Sequence, residues 1–129
     1  MGEATEVVQR AMAAVVTGDA GSAAAVVADD FVWHIPGDSA VGGDVSGAAG
    51  WIEKMHRLLS KGLIPQPLAW LEGSDLVAVL QRNQASNEGR TLDVRVVNLY
   101  RVEEGKVRRL DTFFEDQHAV EEFWNDVLS

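Results

Sequence analysis

Apolar positions recur first with the spacing of a helix and later with the spacing of a strand. Val8, Ala11, Met12 and Val15 fall on one helical face, and Gly18 stands where a C-terminal cap belongs. Asp19 can cap a second, Ala-rich helix running to about Ala28. Residues 31–35 then read as a strand stopped by Pro36. The segment 37–50 holds five glycines and two aspartates, which predicts a loop, with Ser46 as a candidate cap for the next helix. Ile52, Met55, His56 and Leu59 at i, i+3, i+4 and i+7 predict that third helix, ending at Gly62. From Leu63 the period drops to two, and residues 68–72, 76–86, 92–102 and 107–115 read as strands joined by Gly-Ser, Asn-Glu-Gly and Glu-Glu-Gly turns. Such turns make hairpins, so a mostly antiparallel sheet is expected. Residues 117–127 close as a helix with Val120, Phe123, Trp124 and Val127 on one face.

Helices first and long meandering strands afterwards indicate an α+β fold, with the helices packed on one face of a strongly curved sheet to form a cone around a pocket. A length of 129 residues fits a single domain over residues 1–129. Composition narrows the partners. A net charge of -9 argues against nucleic acid, whose binding needs basic surface. Without cysteine there is no disulfide, no thiolate zinc site and no cysteine nucleophile. The start, with Glu3 and Glu6, lacks a basic secretory n-region, and no apolar run approaches the roughly 18 residues of a membrane span. A cytoplasmic, membrane-free protein is therefore expected.

Candidate chemistry centres on His34, a titratable ring inside an apolar strand. Desolvating such a group without a partner costs about 1–3 kcal/mol, so it is either hydrogen-bonded structurally or used as a base or acid. A metal role lacks support, since no second histidine sits at ligand spacing. His56 reads as a packing or pocket-wall residue and His118 as solvated. Asn98 shares strand parity with Val94, Val96 and Tyr100, which makes it a core amide or a donor to substrate. Leu110, Thr112 and Phe114 share one face of the last strand and Asp111 the other, a surface or interface position. Trp33, Trp51 and Trp70 are core fillers or an aromatic cavity wall.

A resemblance joins these pieces. Val7-Val8-Gln9-Arg10, Gly18-Asp19, Ala28-Asp29-Asp30 and Pro36 resemble the N-terminal half of ketosteroid isomerases. Pro36-Gly37, Gly43-Asp44 and Ser46-Gly47 resemble SnoaL-like loops. The run from Val97 to Val102, Gly105-Lys106-Val107 and the tail from Asp116-Gln117 to Phe123-Trp124 resemble the same group's last strands and C-terminus. The chain thus resembles the nuclear transport factor 2-like cone fold, within it the SnoaL-like and ketosteroid isomerase-like group. The resemblance implies a cofactor-free isomerase or cyclase that moves a proton α to a carbonyl of an apolar, steroid- or polyketide-like substrate. The isomerase base matches Ile35 without a gap, or His34 if the register slips by one; the oxyanion aspartate matches Asn98 and the oxyanion tyrosine matches Ala11. His34 and Asn98 are the catalytic pair so implied. Trp33, Met55, His56, Trp70, Arg82, Gln84, Tyr100, Thr112 and Phe114 are the implied substrate contacts. Two other readings stay open: a non-catalytic binding or dimerisation module, and an epoxide hydrolase of the limonene-epoxide type, whose Arg-x-Asp piece reads here as Arg82-Asn83-Gln84. No metal or nucleotide is expected. Leu76, Ala78 and Leu80 beside Val77 and Val79 make one strand apolar on both faces, which implies a homodimer.

Overall fold

The computed structural model describes residues 2–128. Helix α1 (Glu3–Thr17) buries Val7, Val8, Ala11 and Val15 and ends where Gly18 adopts φ 74, a left-handed conformation open to glycine. Its N-terminus is closed from elsewhere in the chain. Glu72 accepts from both the backbone N–H and the hydroxyl of buried Thr5, each at 2.7 Å. These bonds hold the Glu72 carboxyl below the usual carboxylate range, and its charge opposes the positive end of the helix dipole. Helix α2 (Ala20–Val26) is capped by Asp19, which accepts from the Ser22 N–H at 3.1 Å. It stops before the expected Ala28, because the β-branched Val27 already opens strand β1 (Val27–Ile35).

The segment expected to be a loop to Gly50 holds strand β2 (Gly43–Ser46) and the start of helix α3 (Gly47–Ser60). Strand β2 exists because the edge of β1 pairs with it, His34 lying opposite Asp44. Ser46 occupies the cap position of α3, but its hydroxyl makes no capping bond. Strands β3 (Ile64–Glu72), β4 (Leu76–Asn87), β5 (Arg90–Glu103) and β6 (Lys106–Phe114) come next, then helix α4 (Gln117–Leu128). Two hairpins turn on Glu88-Gly89 and Glu104-Gly105, with positive φ at both residues of each pair. That is the mirror-image turn whose twist matches the flanking strands.

The sheet runs β2-β1-β6-β5-β4-β3. It is mixed, since β1 lies parallel to β6 while its other pairings are antiparallel. Register shifts in the β1/β6, β3/β4 and β5/β6 pairings bend the sheet, as bulges do. The shift beside Val102 also turns Val107 into the core, on the same side as Leu110 and Thr112. All four helices share one core with the inner face of this sheet; α3 contributes Trp51 and Leu58, and α4 contributes Val120, Phe123 and Trp124. Among the described residues no helix is long and apolar enough to cross a membrane.

The outer sheet face is apolar at its centre. Leu80 pairs with Val97 and Val97 with Phe113, and the neighbouring row runs from Leu71 through Ala78 to Leu99. Leu71 is 69% exposed and Phe113 53%. Ion pairs flank this patch: Arg82 with Asp93, Arg95 with Glu115, Arg101 with Asp75 and Arg109 with Asp111.

Candidate functional site

Between the inner sheet face and the helices lies a cavity of about 50 Å³. Strand alternation decides which side chains reach it. In β1, Trp33 and Ile35 are buried and line it. In β5, Val96 and Asn98 do so, and in β6, Thr112 and Phe114. In β4 the inward parity set by Val77 and Val79 continues to Gln81 and Asn83, which form the fourth wall. Met55 and Leu58 of α3, Trp124 of α4 and Val41 complete the enclosure. Val41 sits on segment 36–42, tied to α4 by Gln117 Nε2 donating to the Pro36 carbonyl at 3.0 Å and by the Ala40 N–H donating to Asn125 Oδ1 at 2.8 Å.

Hydrogen bonds order the polar part of the lining. Trp33 Nε1 donates to Thr112 Oγ1 at 2.9 Å, and Thr112 donates to Asn98 Oδ1 at 2.7 Å. Gln81 Nε2 donates to Asn83 Oδ1 at 2.8 Å. The remaining lining is apolar, and no lining side chain ionises near neutral pH. Lys54 Nζ lies over the Trp33 ring, 5.7 Å from its centroid. Desolvation by burial, then the charge of Arg57, push its ammonium below the usual lysine range, opposed by Asp44.

Several expected site residues therefore meet and others do not. Asn98, Trp33, Met55, Thr112 and Phe114 line the cavity. His34 does not, which corrects the expectation that it faces inward. Its neighbours Trp33 and Ile35 take the inner side of β1, so its ring stands on the outer face, where Nδ1 lies 2.6 Å from Asp44 Oδ1. Beside it across the parallel pairing is Asp111, held by two bonds from Arg109 at 2.8 and 2.9 Å. Of the two alignments of the base position, the cavity-facing residue is Ile35.

His56 also lies outside, its Nε2 bonded to the Val15 and Val16 carbonyls at 2.9 and 3.0 Å, joining α3 to the end of α1. Trp70 is half-buried against the core without reaching the cavity. Tyr100 is buried one inward position beyond Asn98, its ring tilted against Trp51 at 6.2 Å; burial raises its phenol above the ordinary range. Arg82 and Gln84 are exposed, because they carry the outward parity of β4, and Arg82 pairs with Asp93. The expectation thus misses the inward neighbours Gln81 and Asn83 by one residue. Extending the Val77 and Val79 alternation through β4 finds them.

A wider open groove of about 570 Å³ runs between β5 and α4. Its rim is acidic, but Asp93, Glu115 and Asp126 are engaged by Arg82, Arg95 and Arg90. Among the described residues no group of three or more His, Asp or Glu is arranged to hold a metal ion.

Known structures share this architecture. Bal32a from a soil-derived mobile gene cassette superimposes with a TM-score of 0.83 at 28% identity, over 95% of this chain and 96% of that one. An NTF2-like protein from Burkholderia xenovorans LB400 gives 0.79 at 23% identity, over 94% and 95%. Wild-type IdmH from Streptomyces antibioticus, a candidate polyketide cyclase, gives 0.70 at 18% identity, over 92% and 96%. No curated protein sequence matches this chain. The family model described as SnoaL-like domain matches residues 8–110, most of the chain, and the protein accordingly belongs to the SnoaL-like domain family within the NTF2-like fold.

Proposed function

We propose that this protein binds a neutral, largely apolar small molecule in its inner cavity without itself transferring a proton. The observation that carries this reading is the lining: aromatic and aliphatic walls, three carboxamides and one hydroxyl, with no acid or base among them. General acid–base catalysis needs a titratable group within hydrogen-bond reach of the reacting proton. His34, bonded to Asp44 on the far side of the sheet, lacks that reach. The cavity of about 50 Å³ is smaller than ordinary ligand sites of about 300–1,000 Å³, so entry requires a side chain such as the flexible Met55 to move aside. The test is titration of tryptophan fluorescence with apolar ketones, alongside deuterium exchange at their α-carbons. Saturable binding without exchange is expected, and His34→Ala should leave binding unchanged within about twofold. Catalysed exchange that His34→Ala abolishes would sink the reading.

A cofactor-free isomerase or polyketide cyclase is the second reading, favoured by one observation: Asn98 offers a neutral amide N–H at which an enolate oxygen could be held. It needs a base brought by the substrate or by solvent. The epoxide-hydrolase reading loses its support, because Arg82 and Gln84 both lie outside the cavity.

A second copy of the chain is the partner we infer for the outer sheet face. Its row Leu80, Val97 and Phe113, continued by Leu71 and Leu99, exposes an apolar patch of the kind that a monomer rarely leaves bare. Light scattering should report twice the 14.0 kDa chain mass at micromolar concentration. Phe113→Asp, which puts a charge in the middle of the patch, should return the monomer mass; a wild-type monomer would refute the dimer.

A further inference from the structure

We infer that the cavity selects a ligand with two oxygen functions, a carbonyl that accepts from Asn98 and a hydroxyl that donates to Gln81. The inference rests on the ligand-binding reading above. The chemistry of Trp33 sets the first pole. An indole nitrogen only donates, so Thr112 Oγ1 must accept there, at 2.9 Å, and its own hydrogen goes to Asn98 Oδ1 at 2.7 Å. The acceptor of the Asn98 amide faces Thr112, and its Nδ2 donates to no group among the described residues. What Asn98 has left to offer a ligand is therefore a donor.

The second pole comes from β4. Gln81, only 6% exposed, uses Nε2 to donate to Asn83 Oδ1 at 2.8 Å. Its carbonyl oxygen Oε1 accepts from no described group and is left as an acceptor. Asn83 thus acts as a positioning residue that turns the Gln81 carbonyl outward from the pair. The register puts Val79 opposite Asn98 and Gln81 opposite Val96, so Asn98 and Gln81 are diagonal neighbours on the inner face. Their backbones stand about 7–8 Å apart, close enough for one small molecule to bridge both side chains. Since no charged group lines the cavity, a carboxylate or ammonium would be desolvated there without a partner. The ligand is accordingly neutral, and its two oxygens have opposite hydrogen-bond character.

The test uses a matched series: tetralin, 1-tetralone, the 5-, 6- and 7-hydroxy-1-tetralones and their methyl ethers, titrated against wild type, Gln81→Met and Asn98→Leu. We expect 1-tetralone to bind more tightly than tetralin, and one hydroxy isomer to bind about three- to tenfold more tightly again, the gain of one net hydrogen bond. Gln81→Met should erase only the hydroxyl gain and keep the 1-tetralone affinity, whereas Asn98→Leu should bring 1-tetralone down to the tetralin level. Where Gln81→Met fails to fold, the methyl ethers decide on the wild-type protein, because capping the hydroxyl removes the donor and should erase the gain. Tetralin binding with no gain from any hydroxyl, or a gain that survives Gln81→Met or capping, overturns the two-pole assignment and leaves the cavity reading intact. Failure of the whole series to bind overturns the cavity reading, and this inference with it.

Discussion

Phe31→Ala should cost about 3–5 kcal/mol of folding stability, the range for truncating a buried aromatic. Phe31 has no exposed surface, and its ring stacks on that of Trp51 with centroids 4.8 Å apart and planes 16° from parallel. The pair joins β1 to α3, the helix that supplies Met55 and Leu58 to the cavity. Removing the ring leaves a void between a strand and a helix, and the strand cannot move to fill it without disturbing the β1 pairings to β2 and β6. A domain of this size has roughly 5–15 kcal/mol in total, so the loss is a large share of the whole. Urea unfolding followed by circular dichroism reads it directly. With a slope of about 1–3 kcal/mol per molar, the midpoint should fall by at least about 1 M. A loss below about 1 kcal/mol would mean that the Phe31–Trp51 stack does not organise the core.

Thr112→Val has the second largest expected effect, about 1–3 kcal/mol, from a change that hardly alters side-chain volume. Thr112 is 5% exposed and stands between a donor and an acceptor, Trp33 on one side and Asn98 on the other. Valine fills the same space but leaves the buried indole N–H without an acceptor, and the cost of an unmade buried bond exceeds the net value of a made one. Trp33→Phe removes the donor, so Thr112→Val should cost less in that background. A coupling of about 1 kcal/mol in the double-mutant cycle is expected. If the two substitutions are additive, the Trp33–Thr112–Asn98 chain has no energetic reality. The same substitution frees the Asn98 amide to turn over, which should weaken the preference of the cavity for a carbonyl as well as the fold.

Local sequence determined most of the elements of this protein. Gly18 and Asp19 end one helix and start the next through bonds a few residues long, and Glu88-Gly89 and Glu104-Gly105 set the hairpin registers by their own backbone conformations. The inward side of β5 and β6, and with it Asn98, Thr112 and Phe114, was legible because alternation is clear there. Strand β2 was not, since Gly43, Asp44 and Ser46 carry no strand signal of their own and are extended only because the edge of β1 offers hydrogen bonds. Nor was the parallel pairing of β1 with β6, which joins residues such as Val32 and Arg109 far apart in the chain. The face occupied by His34 depended on the same distant neighbours. The run Phe31, Val32, Trp33, His34 and Ile35 is apolar on both sides of the histidine, so parity alone offers two solutions. Packing of Phe31 on Trp51 and bonding of Trp33 to Thr112 choose between them, turning Ile35 to the cavity and His34 to Asp44. Period and turn chemistry act over a few residues and can be read along the chain, whereas the side of a two-faced strand that is buried is decided by whichever distant element packs against it.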